Sequence, residues 1–118
     1  MRTIPATQAS CEAHVFHRPK PAWLEYHHII PQSWQLYLWG SVKDKRTVAL
    51  CRTGHGNTHW NIVRLMKAKA GLVHPYSQLY AGADLRIARM ALERVEEAEP
   101  GAIGRLIATQ RWGGMAGA

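Results

Sequence analysis

Tyr26-His27-His28-Ile29-Ile30-Pro31, answered by Cys51-Arg52-Thr53-Gly54-His55-Gly56-Asn57-Thr58-His59, decides how this chain is read. Four of its seven histidines fall in these two windows, adjacent in the first and four residues apart in the second. Apolar residues flank both windows: Trp23, Leu24, Ile29 and Ile30 around the first, Val48, Ala49 and Leu50 before the second. The pattern predicts that each window lies at the end of a strand and that His55 opens a helical stretch. A strand pair leading into a helix brings the imidazoles together, which is a metal-site pattern.

On a helix, positions i and i+4 share a face, so His55 and His59 can offer two ring nitrogens to one divalent ion. Adjacent strand residues point to opposite sides, so one of His27 and His28 can join that ion and the other stays free. Three protein ligands with an open position is the catalytic arrangement of a metal. A free imidazole beside it is a natural general base, because it titrates near neutral pH. His14, His17 and His74 read as ordinary satisfied histidines, although Cys11-Glu12-Ala13-His14 has the spacing to place two ligands on a metal in a turn.

At 118 residues the chain fits one domain, 1–118. The formal net charge is +7 and the sequence pI about 9.9, a balance that favours an anionic partner such as nucleic acid. Residues 1–83 carry ten bases against three acids, so the basic part is the part with the histidines. With only Cys11 and Cys51 present, a disulfide framework has little support. No run approaches the roughly 18 apolar residues of a membrane span, and no apolar segment of a signal peptide follows Arg2. The expectation is a soluble, cytoplasmic protein, a monomer or weak homo-oligomer.

Along the chain, residues 1–10 read as a flexible N-terminal arm. Ala22 to Ile30 reads as a strand ended by Pro31, and Gln32 to Lys45 as a long loop. In that loop Trp34, Tyr37 and Trp39 cover the core, with base stacking the lesser alternative, while Lys43, Lys45 and Arg46 form either a solvated turn or a phosphate contact. Thr47–Leu50 is a second strand. Gly54 and Gly56 allow a tight turn before a helix from Thr58 to Ala70, with Trp60, Val63, Met66 or Lys67 and Ala70 at packing spacing and Arg64, Lys67 and Lys69 outward, stopped by Gly71. His74 to Ala83 reads as a connector with room for a short helical turn. Asp84 is the expected N-cap of an amphipathic helix over about 84–99, with Leu85, Ala88, Leu92 and Val95 facing inward. That helix packs on the ββα unit or, as the weaker alternative, self-associates. The tail from Trp112 is expected to be poorly ordered. The class is therefore α+β, with a ββα core of about 22–70 and an added C-terminal helix.

In this order the two blocks resemble the HNH endonuclease family, whose fold is the ββα-metal, or His-Me, finger; the likeness spans roughly residues 11–70. The resemblance implies a metal-dependent nuclease acting on DNA, with RNA the lesser substrate. It implies His27, His55 and His59 as ligands of one divalent ion (Zn, Mg, Mn or Ni) and His28 as the general base. The family's middle Asn, which braces the loop between the strands, falls by spacing on Arg46. The family's two-knuckle structural zinc maps onto Cys11, His14, Cys51 and Gly54, a second zinc with three of its four ligands present, which His17 or another residue would have to complete. Lys43, Lys45, Arg46, Arg52 and Arg64 are the candidate phosphate clamps. This short stand-alone form looks most like the phage-encoded members, which would place it in the host cytoplasm. The alternative from another class is a non-catalytic nucleic-acid-binding module held by zinc for structure alone.

Overall fold

The computed structural model describes residues 3–5, 23–75 and 78–114, an α+β arrangement of one antiparallel sheet and four helices. Strand β2 (Trp23–His28) pairs antiparallel with β3 (Thr47–Leu50), placing His27 opposite Val48, Glu25 opposite Leu50 and His28 opposite Thr47. Directly opposed residues share a face. Glu25 and His27 therefore lie on the face that carries the buried Val48 and Leu50, and His28 lies on the other.

A third strand, β1 (Thr3–Pro5), runs antiparallel to the outer edge of β2, with Ile4 opposite Leu24. This corrects the expectation of a flexible arm over the whole of 1–10. A pairing edge was available on β2, and Pro5 sits at the end of an edge strand, where a missing ladder donor costs least. The Cys11 and His14 expectation lies outside the described residues, as does that of His17.

β2 stops at His28, two residues short of the expected Ile30, and Pro31 then caps α1 (Gln32–Trp39), where a long loop was expected. Proline just before a helix and glycine just past it is the usual asymmetry. Gly40 closes α1 in the left-handed region at φ 73°, its N–H donating to Leu36 O. Trp34 is fully buried in the core, and Tyr37 and Trp39 pack against the same cluster, so the aromatics do cover the core.

Helix α2 (Arg52–Lys69) begins six residues before the expected Thr58 and includes Gly54 and Gly56. Two helical glycines cost about 1 kcal/mol each relative to alanine, but the first turn is held by its cap. Cys51 Sγ accepts the Gly54 N–H at 3.2 Å and Cys51 O the His55 N–H at 2.8 Å. Thr58, Asn61, Ile62 and Met66 form the buried side of α2. Trp60, read as part of the packing side, is 45% exposed. Gly71, at φ 74°, stops the helix as expected.

Among the described residues of the connector 74–83 only the start of the next helix is helical. Helix α3 (Ala83–Ala98) has Gly82, not Asp84, at its N-cap. Asp84 is instead buried in the first turn, where its Oδ2 accepts from Asn57 Nδ2 at 3.1 Å. Ala88, Leu92 and Val95 are buried as their spacing predicts, joined by Ile87 and Ala91, and α3 packs mainly against α2.

A further helix, α4 (Ala102–Ala108), was not foreseen. Glu96 holds its start, accepting the N–H groups of Gly101 at 2.6 Å and Ile103 at 3.1 Å. After it, Arg111 to Gly114 lies back against α1 and α2, where a loose tail was expected: Trp34 Nε1 donates to Arg111 O at 3.0 Å. No described helix is long and apolar enough to cross a membrane.

Candidate metal centre

Three histidines meet between the sheet and α2. His27, on the buried face of β2, and His55 and His59, one turn apart on α2, each offer a ligand atom, and these atoms lie within 4.8 Å of one another. The rings stand 4.8 to 5.1 Å apart, centroid to centroid. The i, i+4 spacing and the strand alternation both act here as their periods require.

The hydrogen bonds fix which nitrogens face inward. His59 Nδ1 lies 2.7 Å from the carbonyl oxygen of Gly113, a group that can only accept, so Nδ1 carries the proton. His55 Nδ1 donates to Glu25 Oε1 at 3.0 Å. Both Nε2 atoms are thereby left as lone pairs, and they face each other at 3.1 Å. Two lone pairs at that distance repel unless a cation lies between them, a proton or a metal ion. Burial opposes the proton: it pushes the His59 pKa from 6.5 down to about 4, against the raising effect of the Gly113 carbonyl.

His27 is lowered further, to about 2, first by burial and then by His59, His55 and His28. Its Nε2 is buried and has no hydrogen-bond partner among the described residues, an arrangement that costs about 1–3 kcal/mol where nothing compensates it. One ion could be held by all three histidines. Ligand nitrogens about 2.0–2.1 Å from a tetrahedral ion stand about 3.3 Å apart; His55 and His59 are already close to this at 3.1 Å, while the whole group spans up to 4.8 Å and would draw in around an ion. The donor set, three imidazoles with a carboxylate and a carbonyl behind two of them, fits a divalent transition metal.

His28 stands apart from this group. It is half-buried on the other face of β2, its pKa lowered by burial and partly restored by Asp44. Asp44 belongs to the loop between α1 and β3, and that loop is tied down by Gln35. The buried Gln35 side chain donates from Nε2 to Ile30 O and to Asp44 O, both at 2.9 Å, and accepts the Asp44 N–H at Oε1 at 2.8 Å. Asp44 in turn accepts from Arg94 at 2.5 Å and from the Arg46 N–H at 3.1 Å. The bracing that the family pattern would place on Arg46 is thus carried by a side chain eleven positions earlier. Arg46 contributes only its backbone, whose carbonyl accepts from Ile29 N at 3.1 Å.

Lys43, Lys45 and Arg46 are exposed on this braced loop, and Arg52 is exposed at the start of α2. Arg64 is placed differently. It donates to Gln78 and lies over the Trp60 ring, roughly 140° round α2 from His59 at 100° per residue. Cys51 caps α2 and is not part of the three-histidine group.

Four participants were not read from the sequence. Glu25 had a signal, since it lies two residues before His27 and so on the same strand face. Gln35, Asp44 and the Gly113 carbonyl had none, because their roles depend on contacts across the fold. No family model, curated protein or solved structure matches this chain.

Proposed function

We propose that this chain is a metal-dependent endonuclease of the HNH type, hydrolysing DNA phosphodiester bonds, with β2, β3 and α2 as its ββα-metal finger. The observation that carries the reading is the convergence of His27, His55 and His59 through lone pairs, with a fourth histidine, His28, turned to the other face of the same strand. Three donors, not four, converge among the described residues, which favours a site that takes substrate over a closed structural one.

His27, His55 and His59 would hold the ion. The chemistry a divalent ion supplies there is Lewis-acid polarisation of a non-bridging phosphate oxygen and stabilisation of charge on the leaving oxygen. His28 acts as the general base. Its lowered pKa keeps the ring neutral at physiological pH, able to take a proton from the attacking water. The water oxygen bonds to phosphorus, the bond to the 3′ oxygen breaks, and the products are a 5′-phosphate and, after proton uptake from solvent, a 3′-hydroxyl.

Glu25 and the Gly113 carbonyl orient two ligands, and Gln35 holds the loop that carries Asp44. Lys43, Lys45, Arg46 and Arg52 contact phosphates and position the nucleic acid without reading its bases. The test is plasmid cleavage by the purified protein across a panel of Zn2+, Ni2+, Mn2+ and Mg2+, with His28→Ala as control. Cleavage by the wild type and its loss in the variant is the expected result. A metal-loaded wild-type protein that leaves DNA intact under every condition would overturn the proposal.

A further inference from the structure

The segment after α4 makes contacts that a loose tail would not. Trp34 Nε1 donates to Arg111 O at 3.0 Å, the Arg111 guanidinium lies 4.0 Å from the centre of the Tyr37 ring, and Lys67 lies over Trp112 at 5.9 Å. Between these anchors Gly113 is buried at φ 82°, a conformation that L side chains rarely adopt. A Cβ at 113 would stand 2.7 Å from Ile62 Cγ2 and 2.8 Å from Trp34 Cζ2. The backbone is thus pressed against α1 and α2 at the one point where its carbonyl meets His59 Nδ1.

We propose that Arg111–Gly114 is a positioning element of the metal centre, and that docking of this segment and binding of the ion reinforce each other. The inference rests on the metal reading of the three histidines, not on the nuclease reading. A neutral imidazole can carry its proton on either nitrogen. Only the form protonated at Nδ1 leaves Nε2 able to ligate, and the Gly113 carbonyl selects that form and sets the ring's orientation. Outer partners of this kind change metal affinity by about 10–100-fold when lost. Linkage is reciprocal, so the ion favours the docked segment by the same factor by which the docked segment favours the ion. A fully buried tryptophan and a glycine without room for a methyl group leave the docked segment little slack.

The test uses Zn2+ as probe and no nucleic acid. Competition titration against a chelating dye should show Gly113→Ala binding Zn2+ about 10–100-fold more weakly than wild type. Gly104→Ala on α4, where an added Cβ meets nothing within 4 Å, should stay within about threefold, well below the effect of losing an outer partner. Because Gly113→Ala can also weaken the fold, hydrogen–deuterium exchange on the wild-type chain provides the second measurement. Zn2+ should slow the amides of Trp112, Gly113 and Gly114 by a larger factor than those of α4. Wild-type affinity in a folded Gly113→Ala, or exchange at 112–114 that ignores Zn2+ while α2 is protected, would overturn the inference. A wild-type protein that binds no metal would remove it together with the metal centre. Zn2+ binding that depends on Gly113, in a protein that cuts no DNA, would support it and count only against the nuclease reading.

Discussion

His55 and His59 hold their Nε2 atoms 3.1 Å apart while each commits its Nδ1 proton to a different partner, Glu25 Oε1 at 3.0 Å and Gly113 O at 2.7 Å. Two lone pairs are thus held face to face by groups that come from a strand and from the segment after the last helix. Such an arrangement is unfavourable by itself and favourable around a cation. Whether an ion occupies the group, and what orients its ligands, can each be measured.

His28→Ala should lower cleavage by about 10²–10⁴-fold, the usual contribution of a general base, and leave Zn2+ affinity within about twofold, since no outer partner of the ion is lost. His55→Ala should lose both. At saturating metal the acid limb of wild-type kcat should lie below the ordinary histidine value of 6.5, because burial lowers the His28 pKa. Equal metal loss in the two variants, measured calorimetrically, would defeat this division of roles.

Glu25→Ala should weaken Zn2+ binding by about 10–100-fold, the range for an outer partner of a ligating histidine. Glu25→Gln should weaken it less, because an amide oxygen still accepts the His55 Nδ1–H while the negative charge is gone. Titration of both variants beside wild type gives the order; an affinity unchanged in Glu25→Ala would show that the contact at 3.0 Å does not orient the ligand.

Gln35→Ala should leave Ile30 O and both backbone groups of Asp44 without their partner; the buried Ile30 O alone costs about 1–3 kcal/mol, and the part-buried Asp44 groups can turn to water. A fall in Tm of roughly 5–10 °C is expected for a domain of this size. Gln35→Glu should not rescue, because both carbonyl contacts need the Nε2 donors. Thermal melts of the three proteins decide this, and a Gln35→Glu variant as stable as wild type would contradict the hydrogen-bond assignment.

The metal-free protein should lose stability as pH falls below about 6.5. His27 and His59 have folded pKa values of about 2 and about 4 against 6.5 unfolded. Between those values the unfolded chain holds protons that the folded chain lacks, so stability is full above 6.5 and falls with pH. The slope approaches about 1.4 kcal/mol per pH unit for each histidine, over 6.5 to 4 for His59 and on towards 2 for His27. Urea denaturation at pH 7, 6 and 5 measures it. His59→Gln should flatten the slope by one proton's worth, and a wild-type slope near zero would mean that these rings are not held neutral.

A Lys43→Ala, Lys45→Ala, Arg46→Ala triple variant should bind all DNA sequences more weakly, with the slope of log affinity against log salt shallower by up to about 3. Sequence preference should not change. A slope equal to wild type would show that the loop is only solvated.

The sequence by itself determined the elements whose cause is local. Period-two alternation placed His27 and His28 on opposite faces of a strand, and helical spacing put His55 beside His59; the observed register and histidine cluster agree with both. Apolar spacing likewise located α3, and Gly71 the end of α2. What only the tertiary structure decided are roles that depend on a distant partner. Gln35 is a brace because Asp44 and Ile30 come to it, and Asp84 left its expected cap for a buried contact with Asn57. The early start of α2 rests on the Cys51 sulfur cap and on a buried face that outweigh two glycines. Gly113 had the least local signal of all. A carbonyl has the same chemistry at every position, so its placement 2.7 Å from His59, 54 residues away, is a property of how α1, α2 and the last segment pack and of no pattern along the chain.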